Sequence, residues 1–91
     1  MDDQGLLEMQ ANRGEQADKL LQHPLLVEAF SLIEQDIHNK WMNSPARDAD
    51  GRESLWTQLK LLHRVRAEIQ HVAETGKVAR ATLLQRIGLT R

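Results

Sequence analysis

Two long amphipathic patterns flank one turn-forming segment, NSPARDADG, at residues 43–51. Its asparagine, serine, proline, aspartate and glycine residues favour turns and interrupt helices. Before this segment, apolar residues recur at steps of four, three, four and four, which is the spacing of one helix face. These residues are Leu26, Phe30, Ile33, Ile37 and Trp41. We therefore predict a helix that begins at Pro24, a residue suited to the first helical turn, and ends near residue 42.

The pattern after the turn predicts a second long helix, over about 52–75. Asp50 and Glu53 have the spacing of a capping box. In this motif the first side chain accepts a hydrogen bond from an unpaired backbone N–H group of the first helical turn, and the second reaches back to the backbone N–H of the first residue. Gly76 is predicted to end the helix, because glycine takes left-handed geometry at little cost. The apolar stripe consists of Leu55 or Trp56, Leu59, Leu62, Val65 or Arg66, Ile69 and Val72.

Folding these two helices back on each other at the turn would pair apolar residues in every layer. Such agreement requires a turn of suitable length, in addition to the apolar periods of the two helices, because the turn decides which residues lie level with each other. The sequence therefore predicts a long antiparallel helical hairpin over about 24–75, with Trp41 and Trp56 covering its loop end. The predicted layers are Trp41 with Leu55 or Trp56, Ile37 with Leu59, Ile33 with Leu62, Phe30 with Val65, and Leu26 with Ile69.

The segments on either side of the hairpin are shorter. Residues 1–14 contain two glycines and little periodicity, and they predict a flexible N-terminal arm. Residues 15–91 predict a single helical domain. Within it, Glu15–Gln22 predicts a short helix, which must end before Pro24 because proline disfavours helical geometry in the residue before it.

A short C-terminal helix is predicted at about 77–88, with Gly88 closing it. Two interpretations of Gly76 stay open at this point. It either separates this helix from the hairpin or is only a weak point within a longer helix, since glycine inside a helix costs only about 1 kcal/mol.

A single hairpin would not bury all the apolar residues of the chain. Leu25 beside Leu26, and Leu61 beside Leu62, widen each stripe beyond a two-helix seam. A chain of 91 residues also has a small core, and small helical domains often gain stability by oligomerising. We therefore predict an all-α fold that completes a small bundle as a homo-oligomer. The predicted interface residues are Trp41, Trp56, Leu25, Leu61, Leu83 and Leu84.

Charge is distributed unevenly, although the net charge is −1. Residues 1–53 carry five basic and eleven acidic side chains, whereas residues 54–91 carry seven basic and two acidic ones. One interpretation is that an acidic helix lies beside a basic one; another is that the basic half binds nucleic acid or an acidic partner. Without interleaved aromatic residues for base stacking, nucleic acid is secondary to a protein partner. The candidate phosphate contacts are Lys60, Arg64, Arg66, Lys77, Arg80 and Arg86.

The sequence contains no recognisable catalytic or metal-binding pattern. It has no cysteine, which excludes disulfides and thiolate sites. Glu34 and His38, with His63 across the hairpin, would offer a carboxylate and two imidazoles, but their spacing differs from the repeated Glu-x-x-His of helical metal sites. The segment TGKV lacks the residues of a phosphate loop, and DADG lacks the glutamate that completes a calcium loop. We predict a protein that is not an enzyme and has no metal or other cofactor.

The segment KWMNSPARDADGRESLWTQLKLLHRVRAEIQ, followed by TGKVA, resembles small helical proteins encoded by tailed bacteriophages and prophages, often in head-assembly gene clusters. The shared pattern is a helix, a tryptophan, an Asp-x-x-Gly-Arg-Glu turn, then Leu-Trp and a leucine-rich basic helix. It covers about half to two-thirds of the chain. The resemblance implies a non-enzymatic structural, assembly or adaptor protein of a phage, and it assigns no functional residues.

Such a protein would act through helix-mediated self-association or by docking on a larger assembly. Two alternatives stay open: a small nucleic-acid-binding regulator that uses the basic C-terminal half, and a phage-encoded inhibitor of a host protein. The acidic start MDDQGLLEMQ lacks the layout of a signal peptide, and no apolar run approaches the roughly 18 residues that span a bilayer. The predicted location is the cytoplasm of a bacterial host, or the virion, and not a membrane.

Overall fold

The computed structural model describes residues 3–88 and contains three α-helices within them. Helix α1 spans Asp3–Gln22, α2 spans Pro24–Met42 and α3 spans Ala49–Arg86. Residues 3–88 form helices and turns and no strand, so the prediction of an all-α fold is confirmed.

Helix α3 runs the length of an elongated molecule. It has 38 residues and is therefore about 57 Å long, in a molecule that measures 62 × 27 × 21 Å. Helix α1 packs antiparallel against the C-terminal half of α3, and α2 contacts its N-terminal half. The backbones of α1 and α3 approach each other more closely than those of α2 and α3, so the predicted hairpin is not the closest pairing of the fold.

The prediction of a flexible arm over residues 1–14 is wrong for residues 3–14, which form the first half of α1. Residues 1–2 lie outside the described part of the chain. The predicted short helix Glu15–Gln22 is the second half of the same helix. Gly14, whose presence suggested an irregular segment, is instead buried between α1 and α3, and this tertiary contact stabilises a helix that local propensity does not predict.

Helices α1 and α2 are separated by a single residue, His23, in extended geometry with φ −66° and ψ 125°. Its Nδ1 accepts a hydrogen bond from the Leu25 N–H at 3.2 Å, which caps α2. Pro24 occupies the first turn of α2, as the sequence predicts, because its missing N–H leaves no bond unmade there. The two helices therefore follow each other along α3 with little room for an intervening loop.

Of the two interpretations of Gly76, the one in which it lies within a longer helix agrees with the structure. Helix α3 continues through this residue to Arg86, so the predicted short helix at about 77–88 is the last part of α3. Gly76 is buried against Gly14, and both residues lie within regular helices. The chain leaves the helix at Gly88, which has a φ of 78° and donates its N–H to the Gln85 carbonyl at 3.1 Å.

Asp48, and not the predicted Asp50, caps the N-terminus of α3. The Asp48 carboxylate accepts a hydrogen bond from the Gly51 N–H at 3.1 Å, and its carbonyl accepts one from the Arg52 N–H at 3.1 Å. Asp50 lies within the first turn, where its charge favours the positive end of the helix dipole. The predicted capping box is therefore wrong, because the helix begins closer to the turn than its apolar stripe suggests.

Replacing Asp48 with alanine should lower the free energy of unfolding by about 1 kcal/mol, because the Gly51 N–H loses its acceptor. The matched variant Asp50→Asn removes only a dipole interaction and should cost roughly 0.3 kcal/mol. Urea unfolding followed by circular dichroism, at one protein concentration, measures both. An equal or greater loss in the Asp50 variant would contradict the assigned cap.

Few side chains of this molecule are buried. The buried apolar residues are Ala17, Phe30, Ile37, Ala73 and Ala79, and no side chain in residues 3–88 is fully enclosed. The radius of gyration is 19.2 Å. A compact domain of this length would have a radius of gyration of about 12 Å. The chain therefore forms a single helical layer, in which the long α3 lies beside α1 and α2, two consecutive helices that run antiparallel to it.

Candidate interaction surfaces

Gly14 and Gly76 bring α1 and α3 into direct backbone contact. A Cβ atom placed on Gly14 would overlap the Gly76 Cα and lie 3.1 Å from the Val72 carbonyl oxygen. A Cβ atom placed on Gly76 would overlap the Gly14 Cα and lie 2.9 Å from the Gln10 carbonyl oxygen. No side chain fits at either position, so glycine is required on both helices by close approach.

Alanines extend this contact along both helices. Ala17 on α1, and Ala73 and Ala79 on α3, are buried three residues from a glycine. Small residues three apart lie on one face of a helix, and here two such faces meet. Sequence reasoning missed this contact, although the three-residue spacing of small residues in both segments was a signal that could have identified it.

Ion pairs link the acidic and basic halves of the chain. In each of three pairs, a carboxylate on α1 or α2 contacts an arginine on α3, which agrees with the interpretation that an acidic helix lies beside a basic one. All three are partly or largely exposed, so each contributes no more than about 1 kcal/mol. The pairs are Asp3 with Arg86 at 2.7 Å, Glu15 with Arg80 at 3.4 Å, and Glu34 with Arg66 at 2.9 Å.

The six candidate phosphate contacts do not form one basic surface. Arg66, Arg80 and Arg86 each contact a carboxylate. Lys60 lies over the Trp56 ring, 5.0 Å from its centroid. Lys77 lines a groove that also contains the acidic Glu15 and Asp18. Helical periodicity places Lys60 and Arg64 on one face of α3 and Arg66, Lys77 and Arg80 on the opposite face.

The two tryptophans lie at the turn end of the molecule and line an apolar notch of about 240 Å³. Trp41 is half-buried, and Arg52 stacks on it with its guanidinium carbon 4.3 Å from the ring centroid. Trp56 is 54% exposed. Ile37, Leu55 and Leu59 complete the apolar lining of the notch, while Glu34 and His38 lie at its edge.

One side of the α2 and α3 pair carries a cluster of polar side chains beside the apolar notch. Glu34 on α2 contacts Arg66 at 2.9 Å, and His63 Nε2 lies 3.6 Å from the same carboxylate oxygen. His38 and Asn39 line the open groove beside these residues. In residues 3–88 no group of three or more His, Cys, Asp or Glu side chains is placed to hold a metal ion.

The other side of the α2 and α3 pair carries most of the exposed aliphatic side chains of these two helices, together with polar and charged residues such as Asp36 and Lys40. Helical periodicity places Leu32 and Ile33 on the flank of α2 away from Glu34, and Leu61 and Val65 on the flank of α3 away from His63. Since Glu34 and His63 meet on one side, these opposite flanks share the other side. We call this surface the apolar face; it consists of Leu25, Ala29, Leu32, Ile33, Leu61 and Val65, all of them exposed.

The apolar face corrects two of the predicted layers. Ile33 and Val65 were predicted to point inward, but they are 47% and 54% exposed. Arg66, the alternative to Val65 in the predicted stripe, lies over the Phe30 ring at 4.8 Å. Its guanidinium reaches Glu34 past the aromatic ring, so a cation occupies the position that an apolar residue was expected to fill.

The six predicted interface residues fall into two groups. Leu25, Trp56 and Leu61 are exposed and available for contact. Trp41, Leu83 and Leu84 are half-buried within the chain. Leu25 and Leu61 belong to the apolar face, whereas the tryptophans line the notch at the turn end, so the predicted residues do not form one surface.

Each helix in residues 3–88 is too short or too polar to cross a lipid bilayer. Comparison of the chain with models of protein families, with curated proteins and with solved structures finds no match. The resemblance to phage proteins is therefore a prediction that depends on the quoted segments alone.

Proposed function

We propose that this protein is a non-enzymatic assembly or adaptor protein, which works by packing exposed apolar helix surfaces against other protein chains. The observation that supports this role is the amount of uncovered surface. The chain of 10.4 kDa exposes 7187 Å². A compact monomer of that mass would expose about 5,400 Å².

Much of this uncovered surface is apolar. In residues 3–88, thirteen large apolar side chains are exposed, whereas Phe30 and Ile37 are the only large ones that are buried. Soluble monomers rarely leave apolar surface contiguous over a large area, and such patches typically mark contacts with other proteins. An assembly partner would supply the second layer that this single helical layer lacks.

The resemblance to proteins of phage head-assembly clusters supports a phage context for this role. In that context the protein would act in the bacterial cytoplasm or in the virion. The two alternative functions have less support from the described residues. Three of the six candidate phosphate contacts of a nucleic-acid regulator here contact carboxylates, and an inhibitor of a host protein would use the same apolar surfaces as an adaptor.

The proposal is tested by measuring shape, apolar exposure and partner binding together. We expect small-angle scattering to give an elongated monomer or a multimer, and we expect the dye ANS to bind any uncovered apolar surface. Co-expression with the products of neighbouring genes, followed by light scattering, should yield a stable complex or a homo-oligomer. A compact monomer without dye binding would contradict the proposal, as would tight, salt-sensitive DNA binding by a monodisperse monomer.

A further inference from the structure

We infer that the apolar face packs against the same face of a second copy of this chain, so that two α2 and α3 pairs form a four-helix bundle. This inference rests on the proposed function and specifies its partner. The contact would be two-fold symmetric, because one surface patch that binds its own copy forms an isologous interface. Antiparallel helix pairs packed in this way build the common four-helix arrangement.

The uncovered area agrees with the needs of a stable dimer. The molecule exposes 7187 Å². This exceeds the area of a compact monomer of the same mass by about 1,800 Å². This excess is spread over the whole elongated molecule, of which the α2 and α3 pair is about half. Burial of half of it on each of two chains would remove about 1,800 Å², which is the size of a stable, specific interface. Weak or transient contacts bury less, so the area favours a stable partner.

The width of the apolar stripes supports the same conclusion. A helix in a bundle carries a stripe wider than the narrow seam of a two-helix contact. Ile33 and Val65 lie within the apolar periods of α2 and α3, yet the single chain leaves about half of each exposed. A second layer of helices on the apolar face would bury both residues, as their positions in the apolar periods of α2 and α3 predict.

The charges near the apolar face limit how a second copy can lie against it. Asp36 and Lys40 lie on the same flank of α2, closer to the turn, and contact each other at 2.9 Å. Their charges cancel within the chain. Helical periodicity also places two exposed carboxylates, Glu28 and Glu68, on this side of the molecule, farther from the turn. The net charge of −1 adds little repulsion between copies. If the two copies lie antiparallel, the Glu28 and Glu68 carboxylates of one copy lie away from those of the other.

The test compares charge insertion on the apolar face with the same change on the other side of α2. The double variant Leu32→Glu with Leu61→Glu places carboxylates in the inferred interface. The control Val27→Glu puts a carboxylate at a position that is 53% exposed on the polar flank. Glutamate is a good helix former, so the helices should persist. Light scattering after size-exclusion chromatography gives the mass, and circular dichroism gives the helicity.

The unmodified protein should have twice the chain mass of 10.4 kDa, and so should the Val27→Glu control. The double glutamate variant should have the mass of one chain with unchanged helicity, and its dissociation constant should rise at least a hundredfold. If that variant loses helicity, the milder pair Leu32→Ala with Leu61→Ala should still weaken the dimer at least tenfold.

A double variant that stays dimeric would overturn the assigned face, as would a Val27→Glu control that dissociates to the same extent. An unmodified protein with the mass of one chain at all concentrations would overturn the second copy as the partner. If that monomer is elongated and binds ANS, the adaptor role survives without self-association. If it is compact and binds no ANS, the proposed function is overturned as well.

Discussion

Replacing Gly14 with leucine should lower the free energy of unfolding by about 2–3 kcal/mol, since the new side chain has no space. Its Cβ alone would overlap the Gly76 Cα, which is backbone and cannot move aside without separating the helices. The midpoint of thermal unfolding should fall by roughly 10–20 °C. Circular dichroism measures this at one fixed protein concentration, because association would make the midpoint depend on concentration.

The direction of the change in Gly14→Ala separates close packing from helix propensity. Propensity alone predicts that alanine stabilises a helix interior by about 1 kcal/mol relative to glycine. The contact with Gly76 predicts the opposite sign, because even one methyl group overlaps the facing backbone. Asn12→Ala, on the exposed side of the same helix, is the matched control and should stabilise slightly. A stabilised Gly14→Ala variant would show that α1 and α3 do not approach closely there.

Replacing Phe30 with alanine should destabilise the protein by about 3–5 kcal/mol. Phe30 and Ile37 are 8% and 5% exposed and are the large buried apolar side chains between α2 and α3. Removing the ring also leaves the Arg66 guanidinium without its aromatic partner. We expect α2 to separate from α3 before α1 does, which hydrogen exchange would detect as faster exchange in α2 than in α1.

The matched control for this prediction is Met42→Ala. Met42 belongs to the same helix and is 68% exposed, so its truncation should change stability by less than about 0.5 kcal/mol. Similar losses in the two variants would indicate that burial in the α2 and α3 seam does not stabilise the fold. Equal exchange in α1 and α2 after Phe30→Ala would instead show that the three helices unfold as one unit.

Local signals in the sequence predicted part of this architecture. Pro24 and the apolar spacing after it placed α2 within its observed bounds, and the turn-forming residues after Met42 marked its end. These features act within one or two helical turns, and a sequence displays them directly. The class of the fold followed from the same periodicity.

Signals that depend on distant contacts were read wrongly. Gly14 suggested an irregular arm and Gly76 suggested a helix end, because a glycine by itself indicates flexibility. In the folded chain each glycine is buried by the other, and two helices continue through them. The two glycines indicate close helix packing, and not helix ends, only once it is known that they contact each other.

The candidate surfaces were predicted in part for a related reason. Leu25 and Leu61 stood out because each adds width to an apolar stripe, and both are exposed on the apolar face. Ile33 and Val65 carry the same apolar character but were assigned to the core, since periodicity identifies an apolar side and not what covers it. Exposure depends on which other elements pack against that side, which the periodicity of one helix does not encode.

The arrangement of α1 and α2 along α3 also affects the order of folding. The contacts near the turn join residues close in sequence, such as Trp41 and Arg52, whereas the contact of Gly14 with Gly76 closes a loop that includes most of the chain. Closing a longer loop costs more entropy, so short-range contacts tend to form earlier. Helix α1 would therefore join last, and the small residues that let it approach α3 so closely complete a folding process that begins at the opposite end of the molecule.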